Sequence, residues 1–145
     1  MPNDPDHGGE APCWAHLVGD LDEHPAPLRI AATNTILYTD RWSELVDFYR
    51  TRVGLRTSME RDWFIEFELH PGVHLSVADA HRASIASGDG AGLTLSWCVE
   101  DAVAVRDRLV ANEIEASTIH RRWGSPGFFV FDPAGNRIEF WSEQP

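Results

Sequence analysis

The stretch from Phe128 to Ser142 constrains this chain most, because it reads as strand, tight turn and strand with a carboxylate set inside the second strand. Asp132-Pro-Ala-Gly135 carries the turn: proline fixes φ near about −65° at the second position, and glycine supplies a positive φ further on. Apolar runs flank the turn, so its two arms pair as a hairpin. Beyond the turn, strand alternation puts Ile138 and Phe140 on one face and Arg137, Glu139 and Trp141 on the other. A carboxylate between aromatic neighbours needs a partner. Arg137, a tyrosine hydroxyl, a metal ion and a bound ligand are the alternatives.

The rest of the chain repeats one pattern twice. An extended, partly β-branched segment from Arg29 to Asp40 precedes Trp42 to Arg52, where Leu45, Val46, Phe48 and Tyr49 fall at helical spacing and Gly54 stops the helix. Three strands follow, Leu55 to Glu60, Trp63 to Leu69 and Val73 to Ala78, with turns at Arg61-Asp62 and Pro71-Gly72. After a linker from Ser84 to Gly92 the order recurs: strand Leu93 to Val99, helix Ala102 to Ala111, then strands near Glu115 to His120, Gly127 to Phe131 and Asn136 to Ser142. This predicts an α+β fold of two β-α-β-β-β units, although no repeat of identical residues is visible. At 145 residues the two units share one domain and one core. Within the third strand, Trp63, Ile65, Phe67 and Leu69 pack under a helix, and Glu66 and Glu68 share the other face with Phe64. Both acids are read as lying at a wet rim, since carboxylates are seldom fully buried; the alternative is that one of them approaches His74 from the adjacent strand.

Charge narrows the class of partner. The net charge is −11 and all twelve basic residues are arginine, so neither nucleic acid nor an anionic membrane fits, because phosphate neutralisation needs basic patches. No apolar run approaches the ~20 residues of a membrane span, and the N-terminus lacks the basic and apolar regions of a signal peptide. A cytoplasmic protein is expected. Residues 1–28 carry five prolines and six acids without a basic residue, the composition of a mobile arm that Trp14, Leu17 and Val18 dock on the domain or a partner, if anything does. Cys13 in that arm and Cys98 in a strand are read as separate thiols, Cys98 as a small buried hydrophobe.

The closing hairpin resembles that of the vicinal-oxygen-chelate superfamily, which includes glyoxalase I, fosfomycin- and bleomycin-resistance proteins and extradiol dioxygenases. Two further segments carry the resemblance. Trp42 to Tyr49 followed by Val53-Gly-Leu55 is similar to the first-module helix and its exit turn, and Val99 to Ala102 leading into Val103 to Ala111 is similar to the second-module junction. Together the segments cover about residues 29 to 143, and the resemblance implies a domain over 29–145 with module one at about 29–83 and module two at about 92–143. It implies that the paired modules form a half-barrel cup with helices outside, and that the chain is a homodimer. It also supplies a register, in which the family's metal-binding positions hold Asn34, His74, Thr94 and Glu139 here. Only His74 and Glu139 are strong ligands, because a threonine hydroxyl and an asparagine amide add little affinity for a transition metal. The implied cofactor is therefore none or a weakly bound divalent metal on His74 and Glu139. The two-histidine, one-carboxylate arrangement of the dioxygenases is incomplete.

Two functions follow from different classes. In the first, the cup binds a small apolar or cationic molecule as bleomycin-resistance proteins do; Asn34, Tyr38, Thr94, Trp123 and Trp141 line it, and Glu139 pairs with a ligand amine. Trp97 lies opposite Thr94 in strand parity and belongs to the core instead. In the second, His74 and Glu139 are catalytic, either holding a divalent metal for lyase or isomerase chemistry or exchanging protons directly. A vestigial cup in a dimeric interaction module is a third reading. His120 to Trp123 forms a loop able to cover the mouth of the cup and offer arginine to a carboxylate, or is simply solvated.

Overall fold

A computed structural model of the chain describes residues 25–143. Most of the expected arm, with Cys13 and Trp14, lies outside them. The first module comprises β1 (Thr33–Thr39), α1 (Trp42–Asp47), β2 (Arg56–Glu60), β3 (Phe64–His70) and β4 (Val73–Asp79). The second comprises β5 (Thr94–Cys98), α2 (Ala102–Ala111), β6 (His120–Arg122), β7 (Ser125–Phe131) and β8 (Arg137–Trp141). The fold is α+β, two paired β-α-β-β-β modules.

Each module makes its own four-stranded sheet, ordered β1-β4-β3-β2 and β5-β8-β7-β6. The first strand of each module runs parallel to the last, Asn34 beside His74 and Thr94 beside Arg137. A parallel neighbour requires a crossover, and the helix of each module is part of it. The remaining pairs are antiparallel.

One apolar core joins the modules. Leu37, Ile65, Phe67, Leu75 and Val77 of the first sheet enter it, with Leu95, Phe128, Val130, Ile138 and Phe140 of the second. These are alternate residues of their strands, so the intervening residues make the opposite, open face of each sheet. α1 continues as a wider turn over Phe48–Val53 that ends at Gly54 in the left-handed region, φ 85°. The widening turns the adjacent Phe48 and Tyr49 inward together, and both are buried. Tyr49 meets Phe67 of its own sheet at 6.3 Å and Trp97 of the other at 6.5 Å between ring centroids. α2 begins at Asp101, whose carboxylate caps the Ala104 amide, and the Ala102 amide donates to the buried Ser142 hydroxyl.

The linker is pinned to the closing turn. Gly90, at φ 80°, lies so close to Gly135 that a Cβ there would come within 2.2 Å of the Gly135 carbonyl oxygen. Gly135 takes the positive φ that the turn sequence predicted, 88°.

One strand differs from its sequence reading. Where 115–120 was expected to pair, the chain makes a single bridge between Ala116 and Val130, and β6 begins only at His120. Side chains occupy the ladder groups instead: the Arg106 guanidinium donates to the Ala116 and Ser117 carbonyls, and the Phe129 amide donates to the Ser117 hydroxyl. Among the described residues no helix is long and apolar enough to cross a membrane.

Candidate functional site

The open face of the first sheet carries Asn34 and Tyr38 from β1, Glu66 from β3 and His74 from β4. Side by side in the β1–β4 ladder, Asn34 and His74 are drawn to Glu66 rather than to one another. Ser58 donates to Glu66 Oε1 at 2.8 Å, Asn34 Nδ2 to Oε2 at 3.5 Å, and His74 Nε2 stands 3.7 Å from Oε1. The wholly buried Ser76 hydroxyl donates to Asn34 Oδ1 at 2.8 Å, which fixes the amide orientation. Glu66 is thus the hub of a polar network and not a residue of the wet rim, with only 23% of its side chain exposed. The period-2 pattern gave its face; its three partners come from other strands. Tyr38 is half-buried further along β1.

The open face of the second sheet carries Thr94 and Ser96 from β5, Arg137, Glu139 and Trp141 from β8, and Phe129 from β7. Register sets Glu139 between Ser96 on one side and Phe129 on the other. Glu139 makes no hydrogen bond or ion pair among the described residues, and its oxygens reach solvent. Arg137 makes no ion pair with it, donating instead from Nε to the Thr94 hydroxyl at 2.9 Å and lying 5.0 Å over the Phe129 ring. Of the two protein partners considered for Glu139, neither the arginine nor a tyrosine hydroxyl takes it up.

The turn between β6 and β7 builds the rim of this face. Trp123 and Gly124 both have positive φ, 48° and 81°, which is the hairpin geometry that matches strand twist. Trp123 therefore stands at the tip, fully exposed and apart from the other expected ligand-binding residues. Behind it, His120 stacks on Phe129 at 4.7 Å and 16°, and Arg122 lies 5.8 Å over the same ring. Gly127 makes room for the histidine, because a Cβ there would meet His120 Nε2 at 3.3 Å and the Phe140 carbonyl oxygen at 3.1 Å. The cluster around Phe129 was not foreseen as a unit. The basic run His120-Arg121-Arg122 was its visible trace.

A groove of about 860 Å³ runs between the modules and brings together His74 of the first sheet with Thr94, Ser96 and Trp141 of the second. Glu139 is the ladder partner of Ser96, one of the residues that line the groove. A second cavity of about 620 Å³ includes Phe129, Phe131 and Arg137. Asn34, Tyr38, Trp123 and Glu139 line neither cavity.

The donor set does not fit a divalent metal. Asn34 and His74 are turned to Glu66, and Glu139 does not line the groove that His74 and Thr94 share. The hydroxyl of Thr94 is held by a guanidinium, so a dication there would stand against a positive charge. No group of three or more His, Cys, Asp or Glu side chains converges among the described residues.

The fold has many counterparts among solved structures. A lactoylglutathione lyase from Agrobacterium tumefaciens is 23% identical, with 81% of this chain and 94% of that one covered at a TM-score of 0.63. A glyoxalase/bleomycin resistance protein/dioxygenase from Nocardioides is also 23% identical, covering 83% and 86% at a TM-score of 0.66. TnmS3, an antibiotic binding protein from Streptomyces sp. CB03234, is 16% identical, covering 83% and 100% at a TM-score of 0.65. Curated protein sequences give no significant match. Residues 29–140 match the profile of the Glyoxalase/Bleomycin resistance protein/Dioxygenase superfamily, and the chain, with its two β-α-β-β-β modules, belongs to that family.

Proposed function

We propose that this protein binds a small cationic or apolar organic molecule, on the open face of the second sheet and in the adjoining groove, without a divalent metal. The observation that carries the reading is Glu139: a half-buried carboxylate beside Phe129 and Trp141 with no partner among the described residues. A carboxylate left this way is a counter-charge for a ligand amine, and the flanking rings add apolar and cation–π contact. The net charge of −11 favours cationic over anionic encounter partners. TnmS3, an antibiotic binding protein, has the same fold, which is consistent with such use.

Metal-dependent lyase or isomerase chemistry on His74 and Glu139 is the less favoured reading, because His74 faces Glu66 and Glu139 does not line the groove that His74 lines. A homodimer, the assembly that the resemblance implies, is part of the proposal and is checked by the mass in solution. The direct test is intrinsic tryptophan fluorescence titrated with a panel of cationic aromatic compounds, antibiotics included. Saturable quenching that Glu139→Gln weakens supports the reading. Absence of saturable change across the panel overturns it.

A further inference from the structure

Two guanidiniums on the same open face as Glu139, those of Arg137 and Arg122, have no carboxylate partner among the described residues. Arg137 shares the open face with Glu139 two residues along β8, their Cα atoms about 6.7 Å apart by the strand rise. No salt bridge forms between them. The Thr94 hydroxyl holds Arg137 Nε at 2.9 Å and the Phe129 ring lies 5.0 Å below its Cζ, so its terminal nitrogens make no hydrogen bond among the described residues. Arg122 reaches the same ring from β6, at 5.8 Å, and also lacks a hydrogen bond or ion pair. The face thus carries an unpaired carboxylate and two guanidiniums around one aromatic residue.

We infer that this face recognises an amphoteric molecule, one that carries both a cationic amine for Glu139 and a carboxylate for Arg137 and Arg122. This rests on the binding role proposed for Glu139 and adds the second charge. With no ion pair between Glu139 and Arg137, both charges stay available to a ligand. Held separate, each is complementary to a charge a few bonds from the other on a single ligand. The planar guanidinium fork suits a carboxylate, and stacking on Phe129 orients the fork before the ligand arrives. His120, stacked against the same ring, limits the space beside Arg122 and favours a flat or extended ligand at that end.

The test uses the full chain and four matched probes: phenylalanine, phenethylamine, 3-phenylpropionate and N-acetylphenethylamine, titrated by amide chemical-shift perturbation. Phenylalanine is expected to bind at least tenfold more tightly than either singly charged probe. In Arg137→Gln its preference over phenethylamine is lost, and in Glu139→Gln its preference over 3-phenylpropionate is lost. Arg122→Gln, at the exposed rim, reports the same loss in part if Arg137→Gln perturbs the strand. Phenethylamine binding as tightly as phenylalanine overturns the amphoteric inference and leaves the cation-binding function standing. Binding by none of the four overturns the inference, while the function is then judged separately on the larger cationic compounds.

Discussion

The phenolic hydroxyl of Tyr49 donates a 2.6 Å hydrogen bond to Oδ2 of Asp132, joining the helix of the first module to the closing turn of the second across 83 residues. Both are buried. The same carboxylate accepts the Ala134 and Asn136 amides on Oδ1 and the Asn136 side-chain amide on Oδ2, so the turn and the module interface are fixed by one group. A turn aspartate is ordinary; one that also receives a core tyrosine makes the turn part of the core.

Tyr49→Phe removes a hydrogen bond to a charged acceptor and is expected to cost about 1.5–3 kcal/mol at neutral pH, measured by urea unfolding. Burial, and then the charge and hydrogen bond of Asp132, raise the Tyr49 pKa well above its ordinary value. The folded state therefore keeps the proton longer than the unfolded chain does. The associated stability is full below the usual tyrosine value of about 10 and is lost as pH rises through and beyond it. Wild-type stability should fall across that alkaline window, and Tyr49→Phe should remove that part of the slope.

Glu139→Gln is expected to leave stability within about 0.5 kcal/mol of wild type, because the carboxylate has no partner among the described residues to give up. Affinity for cationic aromatic compounds should fall at least about tenfold, or roughly 1.4 kcal/mol. Paired thermal melts and fluorescence titrations separate the two effects. A large loss of stability would show that Glu139 is structural.

Gly127→Ala is expected to destabilise by about 1–3 kcal/mol through overpacking. The new methyl presses on the Phe140 carbonyl, on His120 Nε2 and on the Trp141 Cβ, and the last of these moves the ring beside Glu139. Urea midpoints give the cost, and the His120 ring resonances report whether its stacking on Phe129 survives.

Trp123→Asn is expected to raise stability by up to about 1 kcal/mol, since asparagine tolerates positive φ where a bulky residue is strained. The indole gives up nothing inside the chain, being fully exposed. Chemical unfolding of the two proteins side by side checks the sign.

Chelator treatment, and incubation with Fe, Mn, Ni or Zn, should each leave the thermal midpoint unchanged. A ligand that binds the native state at 100 times its dissociation constant would raise stability by about 2.7 kcal/mol, so near-stoichiometric metal binding would be plain in the melt. Elemental analysis of tag-free protein completes the check.

Local patterns were legible in the sequence because they have a local cause. Alternation along 136–142 assigned Ile138 and Phe140 to the core and Glu139 to the other face, and α2 occupies the expected Ala102–Ala111. Glycine at 135 took the backbone conformation that its turn required. The strand expected over 115–120 shrank to one bridge because the Arg106 guanidinium, from α2, takes the Ala116 and Ser117 carbonyls and the segment's own Ser117 hydroxyl takes the Phe129 amide.

What only the tertiary structure decided is which polar groups meet. Parity puts Glu66, His74, Glu139 and Arg137 on open faces, but it carries no information about register between distant strands. Register set His74 against Glu66, and Glu139 between Ser96 and Phe129. Arg137 chose Thr94 and an aromatic ring over the carboxylate two residues away. The order of residues fixed the faces through the two-residue period of the strand. The long-range packing of two modules on one core chose the partners, because each contact is a competition among groups far apart in the chain.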